Sequence, residues 1–124
     1  MPQPRDRRPV REHGLPVRWT PSATLDLVGI VRYLKRHSPQ AAQQFLTTAR
    51  TKAKALTDFP HRGRVVPELA RIGITHWREV VFAPHRLVYT VEDDRIEVDA
   101  LVDSRRDVED ILLERLVQRS RPSP

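Results

Sequence analysis

The sequence predicts an α+β domain in which a two-helix antiparallel hairpin packs on a small antiparallel sheet, in the order β-α-α-β-β-β-α. Three observations carry this expectation. Two stretches between residues 20 and 59 keep helical spacing, each opened by a hydroxyl residue followed by proline. After Pro60 the apolar period changes to alternation, and from Asp107 it becomes helical again.

Val17 to Thr20 read as a short strand added at a sheet edge. Thr20-Pro21 then supplies an N-cap and a first helical residue whose missing N–H is not needed. Leu27, Ile30, Val31 and Leu34 share one helical face. Ser38-Pro39 repeats the signal, and Ala42, Phe45, Leu46, Ala49, Ala53 and Leu56 continue it until Pro60 forbids more helix. So short a break makes the two helices antiparallel neighbours. Opposite the second stripe, Arg50 and Lys54 stand one turn apart.

Residues 61 to 76 contain Gly63, Pro67 and Gly73 and read as an irregular segment with extended stretches. Trp77 to Ala83, Arg86 to Glu92 and Arg95 to Asp103 read as strands, with turns at Pro84-His85 and Asp93-Asp94. In the last run Ile96, Val98, Ala100 and Val102 are expected to face the core. Glu97, Asp99, Leu101 and Asp103 then face water. Val108, Ile111, Leu112 and Leu116 form the final helical face. Trp19, Trp77, Phe45 and Phe59 fit core positions. The domain is expected over 17–119, between a disordered Pro- and Arg-rich arm at 1–16 and a frayed tail at 120–124.

The chain of 124 residues has room for one such domain. It has no cysteine, which excludes disulfide frameworks, thiolate metal sites and cysteine nucleophiles. Without an apolar run of roughly 18 residues or an N-terminal apolar core of a signal peptide, a soluble cytoplasmic protein with no membrane contact is expected. Charge is unevenly placed. Residues 32–64 carry eight basic side chains and one acid, whereas residues 92–114 carry ten acids and three arginines. Blocks of +7 and −7 suggest two electrostatically different surfaces, one suited to an acidic partner.

No phosphate-cradling glycine loop, G-x-S-x-G or H-E-x-x-H is present, and the five histidines are scattered. No metal site and no cofactor are therefore expected. What remains is a set of arginines. Arg62 and Arg64 flank Gly63, Arg78 and Arg86 begin strands, and Arg105-Arg106 follow the last strand. Converging guanidinium groups bind phosphate or a partner's carboxylates. The structural alternative is internal pairing, of Arg78 or Arg86 with Glu79, Glu68 or Asp103 and of Arg105 and Arg106 with Asp107 and Glu109. His85 is the one histidine near these groups.

These residues also form an ordered set. Ala23-x-x-Asp26-Leu27-x-x-Ile30-x-x-Tyr33-Leu34 is followed by Pro39-x-Ala41-Ala42-x-x-Phe45. Next comes Leu56-x-x-Phe59-Pro60-x-Arg62-Gly63-Arg64-x-Val66-Pro67-Glu68-Leu69. Arg78-Glu79-Val80, His85-Arg86-Leu87-Val88-Tyr89-x-Val91, Ile96-x-Val98 and Arg105-Arg106-Asp107 complete it. From about Val17 to Arg115 the chain resembles the RelE/ParE superfamily of bacterial type II toxins, which share the element order derived above.

The resemblance implies a plasmid-stabilization type of toxin–antitoxin system, with the toxin neutralised in a hetero-oligomer by a cognate, ParD-like antitoxin bearing an acidic segment. The hairpin around Leu34, Arg50 and Lys54 is the expected antitoxin surface. ParE-like members poison DNA gyrase without bond chemistry. RelE-like members cut messenger RNA in the ribosome, and that chemistry needs a group to move the 2′-OH proton beside stabilising cations. The stretch Asp103 to Asp107 has no Tyr or His, and residues 55–124 have no lysine. The resemblance is thus closer to ParE, with Arg64, Arg78, Arg86, Arg105 and Arg106 as expected target-binding residues. In the alternative, a metal-independent nuclease, the candidates are Arg64, Arg78, His85, Arg86 and Tyr89. A third reading is a non-toxic basic module that binds nucleic acid through phosphates.

Overall fold

A computed structural model describes residues 14–120. Residues 1–13 of the expected arm and 121–124 of the expected tail lie outside the described residues. The chain runs β1 (Val17–Trp19), α1 (Pro21–His37), α2 (Pro39–Ala55), β2 (Arg64–Val65), α3 (Pro67–Ala70), β3 (Trp77–Phe82), β4 (His85–Val91), β5 (Ile96–Asp103) and α4 (Val108–Ser120). The helical hairpin on a sheet is as the sequence predicts. Both caps form: Thr20 Oγ1 accepts from the Ala23 N–H and Ser38 Oγ from the Ala41 N–H, each at 3.1 Å. No described helix is long and apolar enough to cross a membrane.

The five strands lie in the order β1-β5-β4-β3-β2. The sheet is mixed rather than wholly antiparallel, because β1 pairs parallel with β5, Val17 opposite Ile96 and Trp19 opposite Val98. Antiparallel pairing of neighbours needs only a tight turn. β1 and β5 are separated by the hairpin and three strands, so no turn dictates their sense. Within residues 61–76 the extended stretch is β2, and one further turn of helix, α3, follows it. His85 is the first residue of β4, paired with Phe82, rather than a turn residue.

Residues 14–16, expected in the arm, are attached to the fold. Leu15 is buried, Gly14 N–H donates to Thr57 O at 2.6 Å, and Pro16 O accepts from the Ile96 N–H at 2.8 Å. Phe59 is corrected in the other direction, being 63% exposed. Regular helix stops at Ala55, so the turn that follows buries Leu56 and turns Phe59 outward.

The alternation expected of β5 fails at Asp99. Tyr89 lies opposite Val98 but Val88 opposite Ala100, so β5 carries one extra residue there. Such a bulge shifts every later side chain to the other face. Ile96, Val98 and Leu101 consequently pack with the hairpin, beside Ala49, Ala53, Leu87 and Tyr89. Ala100 and Val102 pack on the opposite face with Val66, Leu69, Trp77, Val108 and Leu112. Both faces of the sheet are therefore covered, the second by α3 and α4, and Asp99 and Leu101 are buried instead of wet. Asp99 is accommodated because its Oδ2 accepts from Trp77 Nε1 at 2.8 Å and from Thr90 Oγ1 at 3.4 Å.

β1 covers only the first part of β5, and an ion pair finishes the edge. Asp26 Oδ2 accepts from the Leu101 N–H at 3.0 Å, and Arg115 Nη1 donates to Asp99 O at 2.7 Å. Arg115 also grips both carboxylate oxygens of Asp26 at 3.0 and 2.8 Å, tying α4 to α1. Replacing Asp26 with alanine removes the side-chain acceptor of the Leu101 N–H and leaves the half-buried Arg115 guanidinium with Asp99 O but no carboxylate. The expected loss is about 1–3 kcal/mol, read from chemical denaturation.

Candidate functional site

Two charged arrangements sit on opposite sides of β3, because successive strand residues point to opposite faces. On the α3 side, the Glu79 side chain is fully buried. Its Oε2 accepts from Arg64 Nε at 2.7 Å and its Oε1 from Arg86 Nη1 at 3.0 Å. The pairing of β2 with β3 sets Arg64 opposite Glu79, and β4 brings Arg86 opposite Val81. Arg86 also forks onto Glu68 of α3, with Nη1–Oε1 at 2.9 Å and Nη2–Oε2 at 2.8 Å. That bidentate bond holds the Glu68 carboxyl below its ordinary range and raises the guanidinium of Arg86 further. The internal pairing foreseen as the alternative for Arg86 is the arrangement observed.

On the hairpin side, Tyr89 is buried with both roles of its hydroxyl occupied. It donates to Pro60 O at 2.8 Å and accepts from the Gly63 N–H at 2.9 Å. Burial raises its pKa, and the opposing pull of the Gly63 N–H and Arg78 is smaller. Arg78 Nη1 donates to Gly63 O at 2.7 Å. Among the described residues no carboxylate pairs with Arg78, unlike Arg64 and Arg86. The Arg62-Gly63-Arg64 motif thus passes between Tyr89 and Arg78, and both of its central backbone groups are held.

The other expected residues fall elsewhere. His85 lies with its ring centroid 4.7 Å from that of Phe45 and 5.9 Å from that of Phe82. Burial lowers its pKa and outweighs the raising effect of Asp103, with Arg105 lowering it further, which favours the neutral ring. Arg105 is largely exposed and ion-paired to Asp103, whose carboxyl it holds far below the usual range through side-chain and backbone bonds. Arg106 is exposed. The five arginines therefore do not converge on one point. Arg64 and Arg86 meet at Glu79, Arg78 lies across the sheet, and Arg105 and Arg106 follow β5. Of the hairpin residues, Leu34 packs against the core, while Arg50 and Lys54 are exposed.

Sequence reasoning missed Glu79 as the centre of the network. Its signal was present: in Trp77-x-Glu79-x-Val81 it shares the face of a buried tryptophan, where an acid needs cationic partners. Among the described residues, no group of three or more His, Cys, Asp or Glu side chains is placed to hold a metal ion.

The family described as the ParE toxin of the type II toxin–antitoxin system parDE matches residues 17–108, from β1 to the start of α4. Toxin RelE2 of Caulobacter vibrioides is 33% identical over 80 residues, 64% of this chain and 84% of that protein. Among solved structures, the chromosomal ParDE system of P. aeruginosa superposes with a TM-score of 0.59 at 19% identity, covering 73% of this chain and 97% of that one. The toxin–antitoxin complex RelBE2 of Mycobacterium tuberculosis gives a TM-score of 0.50 at 16% identity, covering 77% and 97%. At such identities, the two structures establish likeness of fold.

Proposed function

The chain belongs to the ParE toxin family of type II toxin–antitoxin systems, and on that premise we propose that it arrests growth by binding DNA gyrase in the cytoplasm, without bond chemistry of its own. The observation that carries this reading is the engagement of Tyr89. A general acid or base needs a free proton position within reach of substrate. The Tyr89 hydroxyl has none to spare, lying buried between Pro60 O and the Gly63 N–H. Target contact then falls to outward guanidinium groups, Arg64, Arg105 and Arg106, with Arg78 and Arg86 holding the strands that carry them.

Inducing the toxin should produce DNA breaks and blocked supercoiling while messenger RNA stays intact. Replacing Arg106 with glutamine should weaken gyrase binding by about 1.5–3 kcal/mol, a graded loss typical of one charge-assisted contact. Codon-specific cuts in ribosome-bound messages, with gyrase untouched, would overturn the proposal in favour of the nuclease reading. There, loss of one stabilising cation would lower the rate on the order of 100-fold or more.

Neutralisation is assigned to a cognate antitoxin, as in the ParDE and RelBE2 assemblies that share this fold. An amphipathic acidic segment suits the hairpin, where Arg50 and Lys54 offer charge beside the apolar edge marked by Leu34. Reversing Arg50 and Lys54 to glutamate should slow association and flatten its salt dependence. Stopped-flow mixing over a range of salt concentrations checks this, and unchanged kinetics would remove the surface from consideration.

A further inference from the structure

From Leu27 to Thr57 the chain carries six lysines and arginines and no aspartate or glutamate. None of the six enters an ion pair among the described residues. Opposite charges one turn apart stabilise a helix, and like charges so placed destabilise it by similar amounts. Arg50 and Lys54, exposed and one turn apart on α2, therefore repel each other with no acid on the hairpin to offset them. Carboxylates of matching spacing lie on α4. Asp110, Leu113, Glu114 and Val117 keep the i, i+3, i+4, i+7 spacing of one helical stripe. Asp110 and Glu114 are exposed, and neither is ion-paired among the described residues. The helix dipole accounts for an acid in the first turn, as at Asp110. It does not account for Glu114, nor for Val117 beyond it, which is 58% exposed.

We propose that α4 of one copy of this chain docks on the α2 flank of a second copy, with Asp110 and Glu114 against Arg50 and Lys54. The occupant follows from complementarity on both sides. Two carboxylates one turn apart meet two cations one turn apart. Leu113 and Val117 meet Leu46, half-buried one turn before Arg50. α2 and α4 cover opposite faces of the sheet, so one neighbour does not take both and the contact is head to tail. A net charge of +6 opposes random encounter and leaves the oriented one, acidic helix to basic hairpin. Arg50 and Lys54 are shared with the antitoxin surface proposed above, but no antitoxin takes part, so this contact stands or fails separately.

The test is sedimentation equilibrium of the full chain alone, over a range of protein and salt concentrations. Reversible association that weakens with added salt is expected. Asp110→Lys/Glu114→Lys and Arg50→Glu/Lys54→Glu should each weaken it about tenfold or more, because each sets like charges against one another. Mixed in equal amounts, the two variants should associate as the wild type does, since every acidic patch again finds a basic one. Asp110→Asn/Glu114→Gln removes charge without reversing it and should give a smaller loss. Thermal melting confirms that each variant is folded. A wild-type chain that stays monomeric, association that strengthens with salt, or a mixture no better than its parts would each overturn the proposal.

Discussion

Arg86→Ala is expected to destabilise the protein by about 3–5 kcal/mol, among the largest losses available to one substitution here. Arg86 serves two carboxylates at once. It forks onto Glu68 and also reaches Glu79, whose side chain is fully buried. Without the guanidinium, Glu79 retains, among the described residues, only Arg64, whose own side chain is 59% exposed. Desolvation of a carboxylate then goes largely uncompensated. The thermal midpoint should fall by about 12–25 °C. Arg86→Lys should be intermediate, because an ammonium keeps the charge but not the planar fork.

The loss should also depend on pH in a defined direction. Glu68 titrates below its ordinary 4.5 in the folded protein, chiefly through its bond to Arg86. Stabilisation from that pair is complete above the unfolded value and fades as pH falls through the folded one. The gap between wild type and Arg86→Ala should therefore be widest near neutrality and narrow below about pH 4. Denaturation midpoints across that range check it. A gap that widens on acidification would contradict the assignment.

Gly63→Ala should lower stability by about 2–4 kcal/mol, although it adds a single methyl group. A Cβ at residue 63 would lie 2.5 Å from Glu79 O and 2.8 Å from the Tyr89 hydroxyl. The first neighbour is backbone of β3 and cannot swing away. Relief requires β2 to part from β3, which breaks the Gly63 N–H bond to Tyr89 and the Arg78 bond to Gly63 O. Tyr89→Phe in the same chain clears only the hydroxyl contact. The double variant should recover part of the loss, and full recovery would show that the backbone contact carries no strain. Because Arg62 and Arg64 flank this glycine, cells carrying Gly63→Ala should also show weakened growth arrest.

The hairpin, its two caps and the later strands were legible in the sequence because they depend on near neighbours. A cap needs a hydroxyl and an N–H three residues apart, and helical or alternating period is a property of a short window. The resemblance that identified the superfamily rests on residues in the same local strings. The candidate arginines were visible as charges, but not their partners. Arg86 lies 18 residues from Glu68 and 7 from Glu79, and nothing local selects internal pairing over an outward cation.

What only the tertiary structure decided shares one physical cause, competition between distant segments. Alternation along β5 predicts one wet face. The bulge at Asp99 instead divides the strand between two cores, with Trp77 and Thr90 holding the carboxylate. Phe59 keeps the spacing of a core residue, yet the chain turns before it and leaves it in water. Leu15 looks like part of a polar arm until the strand beside β5 draws it in. Tyr89 is one of the candidates of the nuclease alternative, and nothing in its local string shows that Pro60 and Gly63, 29 and 26 residues away, take both roles of its hydroxyl. The sequence by itself determined which segments fold and which family they build. Where each polar group finds its partner is a property of chain segments brought together, because burial demands satisfaction without saying from how far along the chain it comes.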